Sequence, residues 1–202
     1  PSDLDRAFAR MLSHLGRSRV AVLLTHEPDI WRSTESEAVA AWLCHQRSTG
    51  LVDAVGASVY DPEDVDALLQ TFTPDIVQLP MSWLDQRLEE CGRLDALAER
   101  GVEVHARSVF LQGVLLCPSQ AAPRHLTAAY PELEILLRQL EAAARAASAP
   151  RQALCLSSVG RNPRLARIVL GVTSKAELQE LVVAWRAAQK LSADAVPRPE
   201  IN

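Results

Sequence analysis

Short apolar runs alternate along this chain with stretches whose apolar positions recur every three or four residues. The runs cover residues 20–24, 52–55, 75–79, 102–106 and 167–172. The first, Val-Ala-Val-Leu-Leu, is apolar throughout, as a strand buried on both faces of a parallel sheet would be. The stretches between show helical periodicity. Leu4, Phe8, Met11, Leu12 and Leu15 mark one helix, and Ala38, Ala41, Trp42 and Cys44 mark another within 35–46. Leu84, Leu88, Cys91, Leu94 and Leu97 predict a single helix over 84–100. Further helices are expected over 61–72, 130–147, 152–159 and 174–190.

Punctuation residues support these boundaries. Ser2-Asp3-Leu4-Asp5 has the form of a helix cap. Asp61-Pro62 combines a capping residue with proline at the first helical position. Gly50 and Gly101 stand where helices end, and Pro80 stops the central strand. Residues 117–128 read as a surface loop, 160–163 as a turn, and 197–202 as a loosely held tail. Because the first residues already read as helix, no signal peptide is expected. The absent initiator Met fits either processing before Pro1 or a truncated chain.

Strands alternating with helices on short connections predict one α/β domain over residues 1–202 with a parallel sheet. Such folds put their chemistry at the carboxyl ends of strands. A complete (β/α)8 barrel takes roughly 250 residues, whereas this chain has 202 and five legible strands.

Composition narrows the function. Hydrophobic residues make up 48% and charged residues 23% of the chain, as in a soluble globular protein. The net charge of −4 provides no basic field for nucleic acid or an anionic membrane. Cys44, Cys91, Cys117 and Cys155 share no metal-ligand spacing, and are read as reduced, mostly buried thiols of a cytoplasmic protein. No run approaches the roughly 20 apolar residues of a membrane span.

The candidate chemistry lies where apolar runs end in polar residues: His26, Ser58, Gln78 and Ser108. A Ser hydroxyl and a Gln amide together offer both donors and acceptors, a Gly-containing loop can present backbone N–H groups, and a strand-end His can donate a hydrogen bond. Each residue also has a plain structural reading: a core histidine, a turn serine, a glutamine satisfying nearby backbone. Trp83 can line a substrate pocket or cover the rim. His14, His45 and His125 read as surface residues, His105 as packed within a strand.

Several stretches resemble the aldo-keto reductase family. They are Leu23-Leu24-Thr25-His26-Glu27-Pro28, Gly56-Ala57-Ser58-Val59-Tyr60, Val77-Gln78-Leu79-Pro80 with Leu84-Asp85-Gln86-Arg87, residues 106–116, and Gly171-Val172-Thr173-Ser174 with Leu178 and Glu180. Residues 107–113, Arg-Ser-Val-Phe-Leu-Gln-Gly, resemble a segment of some bacterial members. The resemblance implies a partial TIM barrel of about five strands, lacking the first three of eight. It implies an oxidoreductase that uses NADP or NAD to reduce an aldehyde, ketone or sugar-derived carbonyl. His26 takes the catalytic His position. Ser58 and Gln78 would hold the nicotinamide carboxamide, with Arg107 replacing an aromatic ring against it. Ser108, Phe110, Gln112 and Gly113 would face the pyrophosphate, and Thr173, Ser174, Lys175 and Glu180 the adenosine end. The family's Tyr, Lys and Asp lie on strands before the His, and Tyr60 and Tyr130 are not at the Tyr position. Glu177 and Leu181 stand where NADP users often have Arg and Asn. The alternative is a non-catalytic partial-barrel module that pairs with another chain, or with itself, through open sheet edges.

Overall fold

The computed structural model describes residues 2–199. Its strands, β1 (Val20–Thr25), β2 (Val52–Ser58), β3 (Ile76–Pro80), β4 (Glu103–Arg107) and β5 (Leu165–Ile168), form one sheet in sequential order. The helices in chain order are α1 (Ser2–Leu15), α2 (Ser36–Ser48), α3 (Pro62–Thr71), α4 (Arg87–Glu90), α5 (Arg93–Ala98), α6 (Arg124–Ala129), α7 (Leu133–Ala146), α8 (Arg151–Gly160) and α9 (Lys175–Ala188). The chain packs as two compact units. One holds residues up to Leu79 with Arg87–His105; the other holds Pro80–Gln86 and residues from Ala106 on.

In the first unit β1 pairs in parallel with β2, and β2 with β3. Glu103 N–H donates to Asp75 O at 2.9 Å, which carries the parallel register on to β4. Val55, Ala57, Val77 and Leu79 are fully buried, as are Val65 and Leu68 of α3. Gly56 permits a close approach at this ladder: a Cβ there would meet Ile76 O at 1.8 Å. Asp64 is buried and accepts from the N–H groups of Tyr60 (2.8 Å) and Asp61 (3.0 Å) while pairing with Arg32. These bonds fix the turn that follows Ser58. At the start of β3, the Asp75 carboxylate accepts from Val55 N–H and from Arg47.

In the second unit, α7 buries Leu133, Leu136, Leu137, Leu140 and Ala144, the apolar stripe of an amphipathic helix. Helix α8 buries Ala153, Leu154, Cys155, Leu156 and Val159. Ser174 caps α9 by accepting from Glu177 N–H at 3.1 Å. Arg151 donates to the carbonyls of Leu116 and Cys117, pinning the loop before α6.

Several expectations require correction. The predicted helix over 84–100 is two pieces, because Gly92 adopts φ 77° and interrupts it. The loop at 117–128 contains α6, and Tyr130-Pro131 separates that helix from α7, which starts at Leu133 and not at 130. The fifth strand ends at Ile168, so residues 169–172 are connection and not strand. β1 is not buried on both faces: it is an edge of the sheet, and Val22 is 40% exposed. Of the thiols only Cys155 is buried; Cys91 is exposed and the other two are intermediate. Pro197 is not loose, because its carbonyl accepts from Trp83 Nε1 at 2.7 Å. The tail at 200–202 and the side chain of the expected Ser2 cap lie outside the described residues.

Candidate functional site

Ser58 and Gln78 are register partners at the carboxyl ends of β2 and β3, so their side chains leave the same face of the sheet. Ser58 is 4% exposed, and its Oγ has no hydrogen-bond partner among the described residues. Gln78 is half-buried, and its carbonyl accepts from Val59 N–H at 2.9 Å. Thr25 pairs with Ala57, so His26 follows β1 at the level of Ser58 and is exposed. The first unit therefore brings together His26, Ser58 and Gln78. A buried hydroxyl lacking a partner costs about 1–3 kcal/mol, so a group that pairs with it from outside the chain gains that back.

In the second unit the segment after β4 is bent into an unusual backbone. Ser108, Leu111, Gln112 and Gly113 have φ of 62°, 45°, 55° and 90°. Positive φ at three non-glycine residues costs about 1–3 kcal/mol each and is a feature of ligand clamps. Leu111 N–H and Gly113 N–H close turns on the Ser108 and Phe110 carbonyls. Among the described residues, the N–H groups of Val109, Phe110 and Gln112 have no such partner. Met81 N–H donates to Arg107 O at 3.0 Å, tying the start of this loop to the segment after β3.

This loop forms one wall of a cavity of about 580 Å³. Ser108, Phe110, Gln112 and Gly113 line it together with Thr173 and Glu180. Six residues expected at the pyrophosphate and adenosine positions thus meet at one hollow. Ser174 and Lys175 do not line it; Ser174 is the cap of α9 and Lys175 an exposed first-turn residue. Arg107 does not line it either, and donates to Ser108 Oγ at 3.3 Å.

Glu177 and Leu181, which the resemblance places where NADP users often have Arg and Asn, line the same cavity, as does Gln152, which the sequence did not single out. The Glu177 carboxylate accepts from Thr173 N–H at 2.6 Å and from Thr173 Oγ1 at 2.9 Å. These bonds hold its pKa below the ordinary carboxylate value, the backbone N–H of Thr173 foremost. The Ser174-x-x-Glu177 spacing is a capping-box signal that places this carboxylate beside Thr173. Gln152 has no comparable signal, being a polar position in a helix that buries most of its length.

Trp83, read as lining a substrate pocket or covering the rim, does not line this cavity. It is 1% exposed and its indole N–H is committed to Pro197 O, so it anchors chain and does not meet solvent. A second cavity, of about 550 Å³, shares Ser108 and Gln112 with the first and is otherwise lined mainly by Leu84, Leu111, Leu126, Leu133 and Leu136. His105 is buried, with Nε2 2.7 Å from Glu103 Oε1, and plays a packing role. No cluster of three or more metal-ligating side chains occurs among the described residues, and no helix among them is long and apolar enough to cross a membrane.

Comparison with known proteins bears on the fold and the family. An aldo-keto reductase from Bacillus halodurans superimposes with a TM-score of 0.75 at 22% identity, over 95% of this chain and 64% of that one. A thermostable aldo-keto reductase gives 0.72 at 20% identity, over 96% and 64%. Glycerol dehydrogenase from Gluconobacter oxydans gives 0.66 at 16% identity, over 100% and 67%. The chain therefore spans about two thirds of the length of these structures, and at such identities the likeness speaks for the fold. No curated protein matches the sequence. The sequence model of the aldo/keto reductase family matches residues 1–200, all but two of the 202, and on that match the chain belongs to the aldo/keto reductase family.

Proposed function

We propose that this chain provides the nicotinamide-dinucleotide side of an aldo-keto reductase that reduces an aldehyde, ketone or sugar-derived carbonyl, on a partial (β/α) barrel. The observation that carries this reading is the cavity that gathers Ser108, Phe110, Gln112, Gly113, Thr173 and Glu180 behind a loop of positive φ. The unpartnered Ser58 hydroxyl beside Gln78 supports it from the first unit.

In this reading Ser58 and Gln78 hold a carboxamide through complementary donors and acceptors. The N–H groups of Val109, Phe110 and Gln112 face a pyrophosphate, and Thr173 and Glu180 flank an adenosine ribose. Bound there, the dinucleotide supplies the hydride. His26 orients the carbonyl by donating to its oxygen. A positioned acid for that oxygen is missing from the matched residues, since neither Tyr60 nor Tyr130 stands at the family's Tyr. The 202 residues alone are then expected to lack the roughly 10²–10⁴-fold that such an acid contributes.

Titration of the chain with NADH and NADPH, followed by fluorescence, tests the proposal. Saturable binding that weakens about ten-fold in Gln78→Ala, equivalent to about 1.4 kcal/mol, is expected. Failure of both dinucleotides to bind at concentrations on the order of millimolar overturns it.

A second reading, a non-catalytic module that associates through open edges, is favoured by one feature. Val22 on the edge strand is exposed, and Leu178, Val182 and Trp185 line one exposed face of α9. Concentration-dependent sedimentation together with absent dinucleotide binding would select this reading.

A further inference from the structure

The leucine-walled cavity of the second unit has no part in the dinucleotide reading beyond the two residues it shares with the first cavity, and all of its lining residues belong to that one unit. Leu133 and Leu136 are three apart on α7 and so share a face, and both are buried. One turn on, Leu137 and Leu140 of the same stripe are completely buried. The stripe thus packs shut over its middle and faces a hollow at its start. Leu126 of α6, Leu84 after β3 and Leu111 of the positive-φ loop complete the hollow, each half-buried. Interiors leave few spaces larger than a water molecule, whereas this one has about 550 Å³. That is a volume typical of small-molecule sites.

The polar lining residues Gln112, Tyr130 and Glu132 are exposed, so the cavity has an apolar floor and a polar mouth. With the Ser108 hydroxyl, an amide and a phenol there offer donors and acceptors to one uncharged polar group. No Lys, Arg or His lines the cavity among the described residues. Glu132 is solvated and well screened, so selection against an anionic headgroup comes from the missing cation and not from repulsion. Size excludes a partner helix. A helix with its side chains is roughly 10–12 Å across and rises roughly 5.4 Å per turn, so each turn fills on the order of 400–600 Å³. The cavity takes about one turn, and a helix laid in a groove anchors over at least two.

We propose that this cavity is a second ligand site, taking a neutral small molecule with a hydrocarbon body and one uncharged hydrogen-bonding group held at the mouth. Leu111 contributes to its wall, and Ser108 and Gln112 to both cavities, so an occupant also restrains the loop that bounds the dinucleotide cavity. The assignment does not depend on dinucleotide binding, because it is read on the chain alone.

The test uses N-phenyl-1-naphthylamine, an uncharged dye whose emission rises in apolar surroundings, with straight-chain alcohols from butan-1-ol to octan-1-ol as competitors. Saturable one-to-one binding is expected, with competitor affinity rising about three- to four-fold for each added methylene. Octanoate should compete at least about ten-fold less well than octan-1-ol. Leu126→Trp, which fills the hollow from a half-buried position, should lower dye affinity about ten-fold, with thermal melts to establish that the variant folds. Hydrogen exchange needs no variant: octan-1-ol should slow the amides of residues 108–114 and 126–136. Alcohol affinities independent of chain length, equal competition by octanoate, or undiminished dye binding by folded Leu126→Trp overturns the proposal. So does protection confined to α9, which would put the ligand on the exposed face of Leu178, Val182 and Trp185.

Discussion

Ser58 and Gln78 stand opposite one another across the β2–β3 ladder, and the Ser58 hydroxyl is buried without a hydrogen-bond partner among the described residues. A hydroxyl in that condition weakens the fold, since it has left water and gained nothing. Ser58→Ala should therefore leave stability unchanged or raise it by about 1 kcal/mol, while weakening dinucleotide binding. Urea denaturation and ligand titration on the same preparations check both halves. A variant that loses stability would show the hydroxyl to be structural. Most core substitutions lose stability and function together, so opposite signs here would mark a position kept for a ligand.

Gly56 makes a different prediction in the same ladder. A Cβ at this position would lie 1.8 Å from Ile76 O and 3.0 Å from Leu24 Cδ2. The first contact is with backbone, which cannot rotate away. Gly56→Ala should force β2 and β3 apart and cost about 3 kcal/mol, with Ser58 and Gln78 displaced together. Thermal melts report the cost. Gly50→Ala, in contrast, meets no atom within 4 Å and is strained only through its φ of 75°, so a smaller loss is expected there.

The alternation of strands and helices was legible because each strand is a compact apolar run and each helix carries a three-or-four spacing. What escaped depended on backbone conformation. Gly92 sits within an unbroken helical pattern, and only its φ of 77° shows that two short helices meet there. The run at 167–172 is apolar enough to suggest a strand, yet pairing with β4 is complete by Val169, whose N–H donates to Ala106 O. The site divided along similar lines. Residue type pointed to Ser108 and the family resemblance to Thr173, but no residue type encodes positive φ at Leu111 and Gln112, on which the shape of the cavity wall depends. Trp83 stayed open between pocket and rim because a large aromatic near a strand end fits either, and its partner Pro197 is distant in sequence.

Acid should act on the second unit through Glu141. Its carboxylate accepts from Ser119 N–H at 2.8 Å and Ser119 Oγ at 3.1 Å, and lies near Arg151. These bonds, the Ser119 backbone N–H foremost, hold its pKa below the ordinary value of 4.5. A depressed carboxylate stabilises the fold above its unfolded pKa, and that contribution fades as pH falls through the folded one. Glu141→Gln should thus cost about 1–2 kcal/mol at neutral pH. The difference from wild type should shrink below pH 4.5. Melting temperatures of both proteins across that range check the sign; a gap that widens on acidification would contradict it.

Thiol chemistry separates the core from the surface of the chain. Cys155 is fully buried in α8, and burial pushes its thiol pKa up to about 12. Alkylation requires the thiolate and a path to it, and Cys155 has neither in the folded chain. Cys91 is exposed beside the break between α4 and α5. Brief treatment with iodoacetamide at mildly alkaline pH should modify Cys91 and spare Cys155, as read by mass spectrometry of peptides. Adding denaturant should bring Cys155 labelling to the level of Cys91. If Cys155 is modified early without denaturant, α8 opens locally and the packing of Leu154 and Leu156 around it is less secure than their complete burial implies.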